Sequence, residues 1–476
     1  MRTTFGVIVG NRGFFPGRLA KEGREEIIKV LEEQGFNTII LSPEETKYGC
    51  VENWEDARRC AKLFKSHRDE IDGVIVTLPN FGDEKAIANT LRLADLNVPV
   101  LIHAYPDRPG KMKVEDRRDS FCGKISVCNN LKQYGIPFTL TSLHTESPRS
   151  KIFIEDLKFF ASVCRVVKGL RGARIGAIGA RPGPFNTVRY SEKLLEASGI
   201  SVETIDLSDI IGQADRLQDT DQRVRNTVKE IRNYCPSKDV PKEAILKMAK
   251  LGIVISDWIK NNDLNAVAIQ CWTALEEHYG VVPCTIMSMM SETLIPSACE
   301  VDATGALSMY ALQLASETPS AIVDWNNNYG DDLDKAVLFH CSNFPKSIFQ
   351  SPKMSFHDIL AGTVGKKNTF GTCVGRIKPG HITLCRITTD DRAGCIRTYL
   401  VEGEITENLL ETFGGWGVAK IKNLQGLLKY MCKNGFEHHV AISYSKVARI
   451  LEEVFVNYFG WKTYHHNRGE LEGVVG

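Results

Sequence analysis

The strongest constraint on this chain is the regular alternation of short apolar runs with amphipathic stretches over its first 105 residues. Phe5–Val9 is apolar, Ile27, Val30 and Leu31 then recur at helical spacing, Gly35 stands where a helix C-cap belongs, and Asn37–Leu41 is again strand-like. That is a βαβ unit. The pattern repeats with a helix over Trp54–Phe64, a strand at Gly73–Leu78, a helix around Glu84–Ala94 and a strand at Val98–His103. Helical crossovers between consecutive strands imply a parallel sheet covered on both faces.

Glu146-Ser147-Pro148-Arg149-Ser150 reads as a linker, and a new strand opens at Arg174–Ile178, so a boundary is expected near residue 170. Strands at Ser201–Asp206 and Ala266–Gln270, with helical patterns from Arg223 to Ile259 between them, predict a second α/β domain. From about residue 320 the texture changes to short strands with Gly and Asp turns: Ala321–Asp324, Val337–His340, Cys373–Ile377, Ile382–Ile387 and Ile396–Val401. These read as an antiparallel barrel or sandwich, closed by a helix at Asn423–Cys432, a strand at Phe436–Ser443 and a helix at Val447–Phe459. The expected class is α/β: two Rossmann-like doubly wound domains, 1–170 and 171–318, then a C-terminal α+β domain, 319–476.

Composition narrows the partners. A chain of 476 residues that is 43% apolar has sizeable cores, and 59 Lys+Arg against 58 Asp+Glu provide no field to attract nucleic acid or an anionic membrane. The longest apolar runs have strand length, far short of the roughly 20 residues that cross a bilayer. Met1 is followed almost at once by the first strand with no secretory pattern, so a cytoplasmic protein is expected. Fourteen cysteines without a C-x-x-C pair argue against a zinc ribbon or disulfide framework and predict mostly buried, reduced thiols.

Three loops are candidate ligand contacts. Gly176–Asn186, with Arg181 and Phe185, follows a strand and is expected to open a helix whose amides could hold a polyhydroxyl or anionic ligand; its spacing is not that of a dinucleotide fingerprint. Asn11–Pro16, with Arg12, takes the equivalent place after the first strand, and Asp119–Lys124 is a third such loop. The sharper constellation lies later: Cys299-Glu300-Val301-Asp302, Val323-Asp324-Trp325-Asn326-Asn327, and Glu437-His438-His439-Val440, with His340 as a fourth candidate. Two carboxylates and an imidazole make a hard site suited to Mn²⁺, Mg²⁺ or a related divalent ion. Each also has a plainer explanation, as a capping carboxylate, a turn former or a core histidine. Strand alternation predicts that His438 and His439 point to opposite faces, leaving one at the site.

Taken as a set, Glu300, Asp324 lying 24 residues on, His340-Cys341 and Gly435-Phe-Glu-His-His-Val440 resemble the L-fucose isomerase and L-arabinose isomerase superfamily. Asp119-Ser-Phe-Cys-Gly-Lys and Asn11-Arg-Gly-Phe-Phe-Pro extend the likeness over most of the chain. The resemblance implies catalytic, metal-binding carboxylates at Glu300 and Asp324, a metal-binding histidine at His439, and a role for His340 as in the arabinose branch. It further implies Mn²⁺ or another divalent ion such as Co²⁺, two α/β domains before a barrel-containing domain, and a homo-oligomer, often a hexamer, whose neighbouring subunits help to build the site. The chain is shorter than typical fucose isomerases, and its second acid is Asp where the arabinose branch has Glu.

The reaction so implied moves a proton between C1 and C2 of a sugar through an enediol, which two carboxylates and a cation can serve. Trp272, Asn326 and Asn327 are expected to contact the sugar, with Arg12, Asp119, Arg181, Phe185 and His340 as further contacts. The rivals are isomerisation of an unusual sugar such as sulfoquinovose, and a non-catalytic sugar-binding protein, against which the acids and histidine of the last third weigh.

Overall fold

A computed structural model describes residues 2–468. The chain divides into two compact units, one running to Lys168 and the other from Gly169.

The first unit is built on a parallel sheet in the order β2-β1-β3-β4-β5, with β1 Thr4–Val9, β2 Asn37–Ile40, β3 Gly73–Leu78, β4 Val100–Ala104 and β5 Thr139–Leu140. Every residue of β3 and β4 is buried, which is why these strands read as continuous apolar runs. The helix Gly17–Glu33 buries Leu19, Ala20, Ile27, Val30 and Leu31 along one stripe. Gly35 ends it in the left-handed region at φ 79°, where its N–H reaches Glu32 O and that of Phe36 reaches Leu31 O. Asn53 and Asp83 cap the next two helices through their side chains. The strand order reverses between β1 and β3, so the loops after them, Asn11–Pro16 and 79–82, lie at the ligand-binding edge of a doubly wound sheet.

The second unit begins with another parallel sheet, β7-β6-β8-β9, formed by β6 Arg174–Ile178, β7 Ser201–Ile205, β8 Ala266–Ile269 and β9 Ser297–Cys299. The three-residue β9 carries no periodicity to be read from sequence, yet it delivers Glu300. After it a nine-stranded sheet runs β12-β13-β16-β11-β10-β17-β14-β15-β18. Its strands are β10 Ser320–Tyr329, β11 Asp332–His340, β12 Lys353–Phe356, β13 Phe370–Arg376, β14 Gly380–Asp390, β15 Cys395–Ile405, β16 Gly415–Lys420, β17 His439–Ser443 and β18 Lys462–His465.

The sheet is mixed: β13 pairs with β16, and β15 with β18, in parallel, while its other pairings are antiparallel. A further β15–β16 pairing, Glu404↔Lys420 and Ile405↔Ala419, makes the strand pairing from β16 through β11, β10, β17, β14 and β15 a circuit. Both sheets contribute to one apolar core, in which Ile178, Ile269 and Cys299 join Val323, Leu384 and Tyr399. The change near residue 319 is therefore a change of sheet within one unit. All fourteen cysteines are free, and most are buried. No helix among the described residues is long and apolar enough to cross a membrane.

The loop expected at Asp119–Lys124 is instead the start of a helix, Ser120–Gln133, with Asp119 at its N-cap position, and Gly123 inside it is the first-unit glycine least able to accept a side chain. A Cβ there would stand 1.8 Å from the Phe81 carbonyl oxygen, a backbone atom that cannot rotate away. Gly123→Ala is expected to destabilise the protein by about 1–3 kcal/mol, seen as a lower denaturant midpoint.

Candidate active site

Three adjacent strands, β11, β10 and β17, and the end of β9 place four side chains around one point. Register sets Asp324 of β10 directly opposite His439 of β17, and His439 Nε2 lies 3.4 Å from Asp324 Oδ1. Glu300 follows β9, and its Oε2 is 3.6 Å from His439 Nε2 and 3.9 Å from Nε2 of His340, the last residue of β11. His439, His340 and Glu300 are buried at 1%, 2% and 5% exposure. Glu300 and Val301 both adopt left-handed backbone, with φ 55° and 57°, a conformation that disfavours the β-branched Val301 and turns the chain sharply out of β9.

Two acceptors in this cluster stand out. Glu300 Oε2 and Asp324 Oδ1 are buried without a hydrogen-bond donor, while Glu300 Oε1 accepts from Trp272 Nε1 at 2.9 Å. Carboxylate oxygens left unpaired beside imidazole nitrogens fit a divalent cation, and Glu300, His340 and His439, or Asp324, His438 and His439, have ligand atoms mutually within 4.8 Å.

Behind His439 lies a buried charge network. His439 Nδ1 is 2.9 Å from Asp302 Oδ2, which keeps Nε2 free on the side of Glu300 and Asp324. Asp302 also caps the helix Ala303–Ser316 through Gly305 N–H, and receives two bonds from Arg386 at 2.6 and 3.0 Å. Arg386 reaches Glu437 as well, at 3.1 Å, and Arg386 and Asp302 are both fully buried. Burial would push the Asp302 carboxyl up, but the Arg386 guanidinium and His439 hold it far below the usual range. Burial disfavours the charged form of His439, yet the hydrogen bond that its Nδ1–H donates to Asp302 and the facing carboxylates raise its pKa. Glu300 is raised by desolvation, against the pull of His340 and His439.

The expected residues distribute as follows. Glu300, Asp324, His439, His340 and Trp272 converge, and the Phe185 ring closes one side, 5.9 Å from Trp272, 5.2 Å from His438 and 5.4 Å from His439. His438 also faces the cluster, with Nε2 3.6 Å from Asp324 Oδ1. The alternation expected to separate the two histidines does not apply, because β17 begins at His439 and His438 lies outside the ladder. Asn326 and Asn327 are exposed beyond Asp324, where Asn327 Oδ1 accepts from Asn328 N–H. Arg181 donates to Pro182 O, and its loop runs into a three-residue 3₁₀ turn, Asn186–Val188, so the expected helix N-terminus is absent there. Arg12 and Asp119 belong to the first unit. There Arg12 pairs with Glu84, donates to Gly82 O and covers the Phe81 ring, and Asp119 accepts from Arg117.

Residues 6–171 match a model described as the fucose/sulfoquinovose isomerase N-terminal domain, and residues 338–466 match the L-fucose isomerase C-terminal domain. The chain belongs to the fucose isomerase family.

Aldose–ketose isomerisation is the reaction class of this family, and its members are metal-dependent. The sulfoquinovose isomerase of Priestia aryabhattai is 23% identical over 426 residues, 88% of this chain and 90% of its own. That of Alkalicoccus urumqiensis is 22% identical over 364 residues, 75% of this chain and 78% of its own, and that of a Clostridium species 26% over 200 residues, 41% and 43%. In this fucose isomerase family member His340, Arg386 and His439 fall inside the C-terminal match, while Glu300 and Asp324 fall between the two matched spans.

Sequence reasoning missed Arg386, which sits as a lone basic residue in an apolar strand, a pattern that signals a buried ion pair. It also missed Glu276, whose two carboxylate oxygens are buried without hydrogen-bond donors and whose pKa desolvation raises to about 8. Arg386→Met, which leaves Asp302 and Glu437 buried and unpaired, is expected to destabilise the protein by roughly 3–5 kcal/mol in denaturant unfolding. Between the ordinary carboxyl range and pH 8 the folded state binds a proton at Glu276 that the unfolded state has lost, so stability falls as pH rises through that window. Glu276→Gln should remove this loss, gaining on the wild type by up to about 1.4 kcal/mol per pH unit between pH 5 and 8 in thermal unfolding.

Proposed function

We propose that Glu300, Asp324 and His439, with His340 beside them, form the metal-binding catalytic centre of an aldose–ketose isomerase acting on a 6-sulfonated aldohexose of the sulfoquinovose type. The observation that carries the centre is the pair of unpartnered buried oxygens, Glu300 Oε2 and Asp324 Oδ1, facing His439 Nε2. The substrate class is supported by the sulfoquinovose isomerases to which the chain is similar over most of its length.

The chain's own groups have separable tasks. One of the two carboxylates removes the proton from C2 and the other returns it at C1, and burial raises the Glu300 pKa. Trp272 holds Glu300 Oε1, which leaves Oε2 to face the reacting carbons. The Phe185 and Trp272 rings, 5.9 Å apart, offer an apolar surface for the sugar's C–H face. A divalent ion, for which Mn²⁺ is the proposal, would be held by Glu300, Asp324 and His439 and would supply positive charge to the sugar O1 and O2 as they become anionic. Arg12, Asp119, Arg181, Asn326 and Asn327 remain proposed sugar contacts, in a cytoplasmic homo-oligomer for which a hexamer is proposed.

A 6-deoxyhexose such as L-fucose is the second reading, favoured by the C-terminal match. The test incubates metal-stripped and Mn²⁺-loaded protein with sulfoquinovose, L-fucose and D-arabinose in deuterated water, with NMR reading isomer and deuterium. Turnover of sulfoquinovose with deuterium at the transferred position is expected, and Glu300→Gln should slow it by roughly 10²–10⁴-fold. Preferential turnover of L-fucose would replace the substrate assignment. An unimpaired Glu300→Gln enzyme would remove Glu300 from the chemistry.

A further inference from the structure

Beneath the proposed centre lies a concentration of thiols that the isomerisation does not use. Cys299 ends β9, Cys271 follows its parallel neighbour β8, and the register Ile269↔Cys299 sets the two chain ends side by side. Both thiols are buried and free. Their sulfurs and a Glu300 oxygen lie within 4.8 Å of one another. Cys299 Sγ accepts from Asn343 Nδ2 at 3.4 Å, the kind of donor that steadies an anionic sulfur. Cys284 and Cys341 contact Cys299 as well, so further sulfurs border the same space.

We infer that Cys271, Cys299 and Glu300 form a second cation site, selective for thiophilic ions of the Zn²⁺, Cd²⁺ or Cu⁺ class, that competes with the hard-ion centre for Glu300. The chemistry of the donors separates the two sites. Carboxylates and imidazoles on the His439 side suit Mn²⁺ or Mg²⁺, whereas two thiolates select softer ions. Tetrahedral ligation with metal–sulfur bonds of about 2.3 Å spaces sulfurs by roughly 3.8 Å, so the observed cluster needs a contraction of about 1 Å at most. Binding a divalent ion here releases the two thiol protons and leaves two thiolates and one carboxylate around the ion. Glu300, drawn toward the sulfurs, is lost to His340 and His439, so a soft ion would displace the hard one without occupying its place.

This inference takes the hard-ion role of Glu300 from the proposed function, but its direct readout needs no turnover. One equivalent of Cd²⁺ is added to the full-length, Mn²⁺-loaded protein, and the cadmium shell is read by X-ray absorption and by the thiolate-to-cadmium ultraviolet band. At least two sulfur ligands are expected in the wild type, together with the band and a fall of at least roughly tenfold in Mn²⁺ affinity followed by the free-ion EPR signal. Cys271→Ala combined with Cys299→Ala should abolish the sulfur shell and the band, whereas Cys432→Ala, at an exposed position, should leave both intact. A cadmium shell of oxygen and nitrogen alone in the wild type overturns the proposal, whatever the variants do. So does a sulfur count that survives the double substitution, or sulfur-bound Cd²⁺ that leaves Mn²⁺ affinity unaltered. Failure of sugar turnover by the Mn²⁺-loaded protein before any cadmium is added would count against the isomerase reading instead, and leaves the cadmium readout untouched.

Discussion

The second unit depends on a single buried charge cluster, Arg386 with Asp302 and Glu437. Each of these groups would be costly to bury alone, and each is compensated only while the others stay within hydrogen-bond reach. Because Asp302 simultaneously caps a helix, pairs with Arg386 and holds His439 Nδ1, its position is over-determined. A rigid carboxylate in this place transfers its rigidity to the imidazole, whose other nitrogen then faces Glu300 and Asp324. The cluster ties β14 and β17 to the helix that follows β9, so fold and site share one set of interactions.

Rigidity behind His439 contrasts with stress on the other side of the centre. Glu300 and Val301 are both held in left-handed backbone immediately after β9, and Glu300 Oε2 and Asp324 Oδ1 are buried without a hydrogen-bond partner. Such features are unfavourable in the isolated chain and are maintained by the surrounding packing, notably the common core beneath both sheets. They are also what a cation would relieve, since positive charge between the two oxygens replaces the missing donors. Ion binding at the proposed centre would thus be coupled to stability through the same atoms.

The thiols beneath Glu300 give the site an asymmetric surrounding, with hard oxygen and nitrogen donors on one side and soft sulfur on the other. A carboxylate bordering both is exposed to competition between ions of different hardness. Which ion it would serve, in the proposed pair of sites, depends on relative affinity and availability rather than on shape alone.

By itself the sequence determined the parts of the molecule that rest on periodicity. The alternation around β1, β3 and β4 followed from burial on both faces, and Gly35 from the need for positive φ. Residue types in order, Glu300, Asp324 and His439, were legible because carboxylates and imidazoles near strand ends carry recognisable chemistry. Tertiary structure alone decided the rest. β9 has three residues and no period, Asp302 looks like an ordinary helix cap until Arg386 meets it from a strand 84 positions on, and His438 shares the site because the ladder starts one residue later than alternation assumes. In each case the deciding contact is between groups far apart along the chain, and no local pattern encodes the pairing register that brings them together.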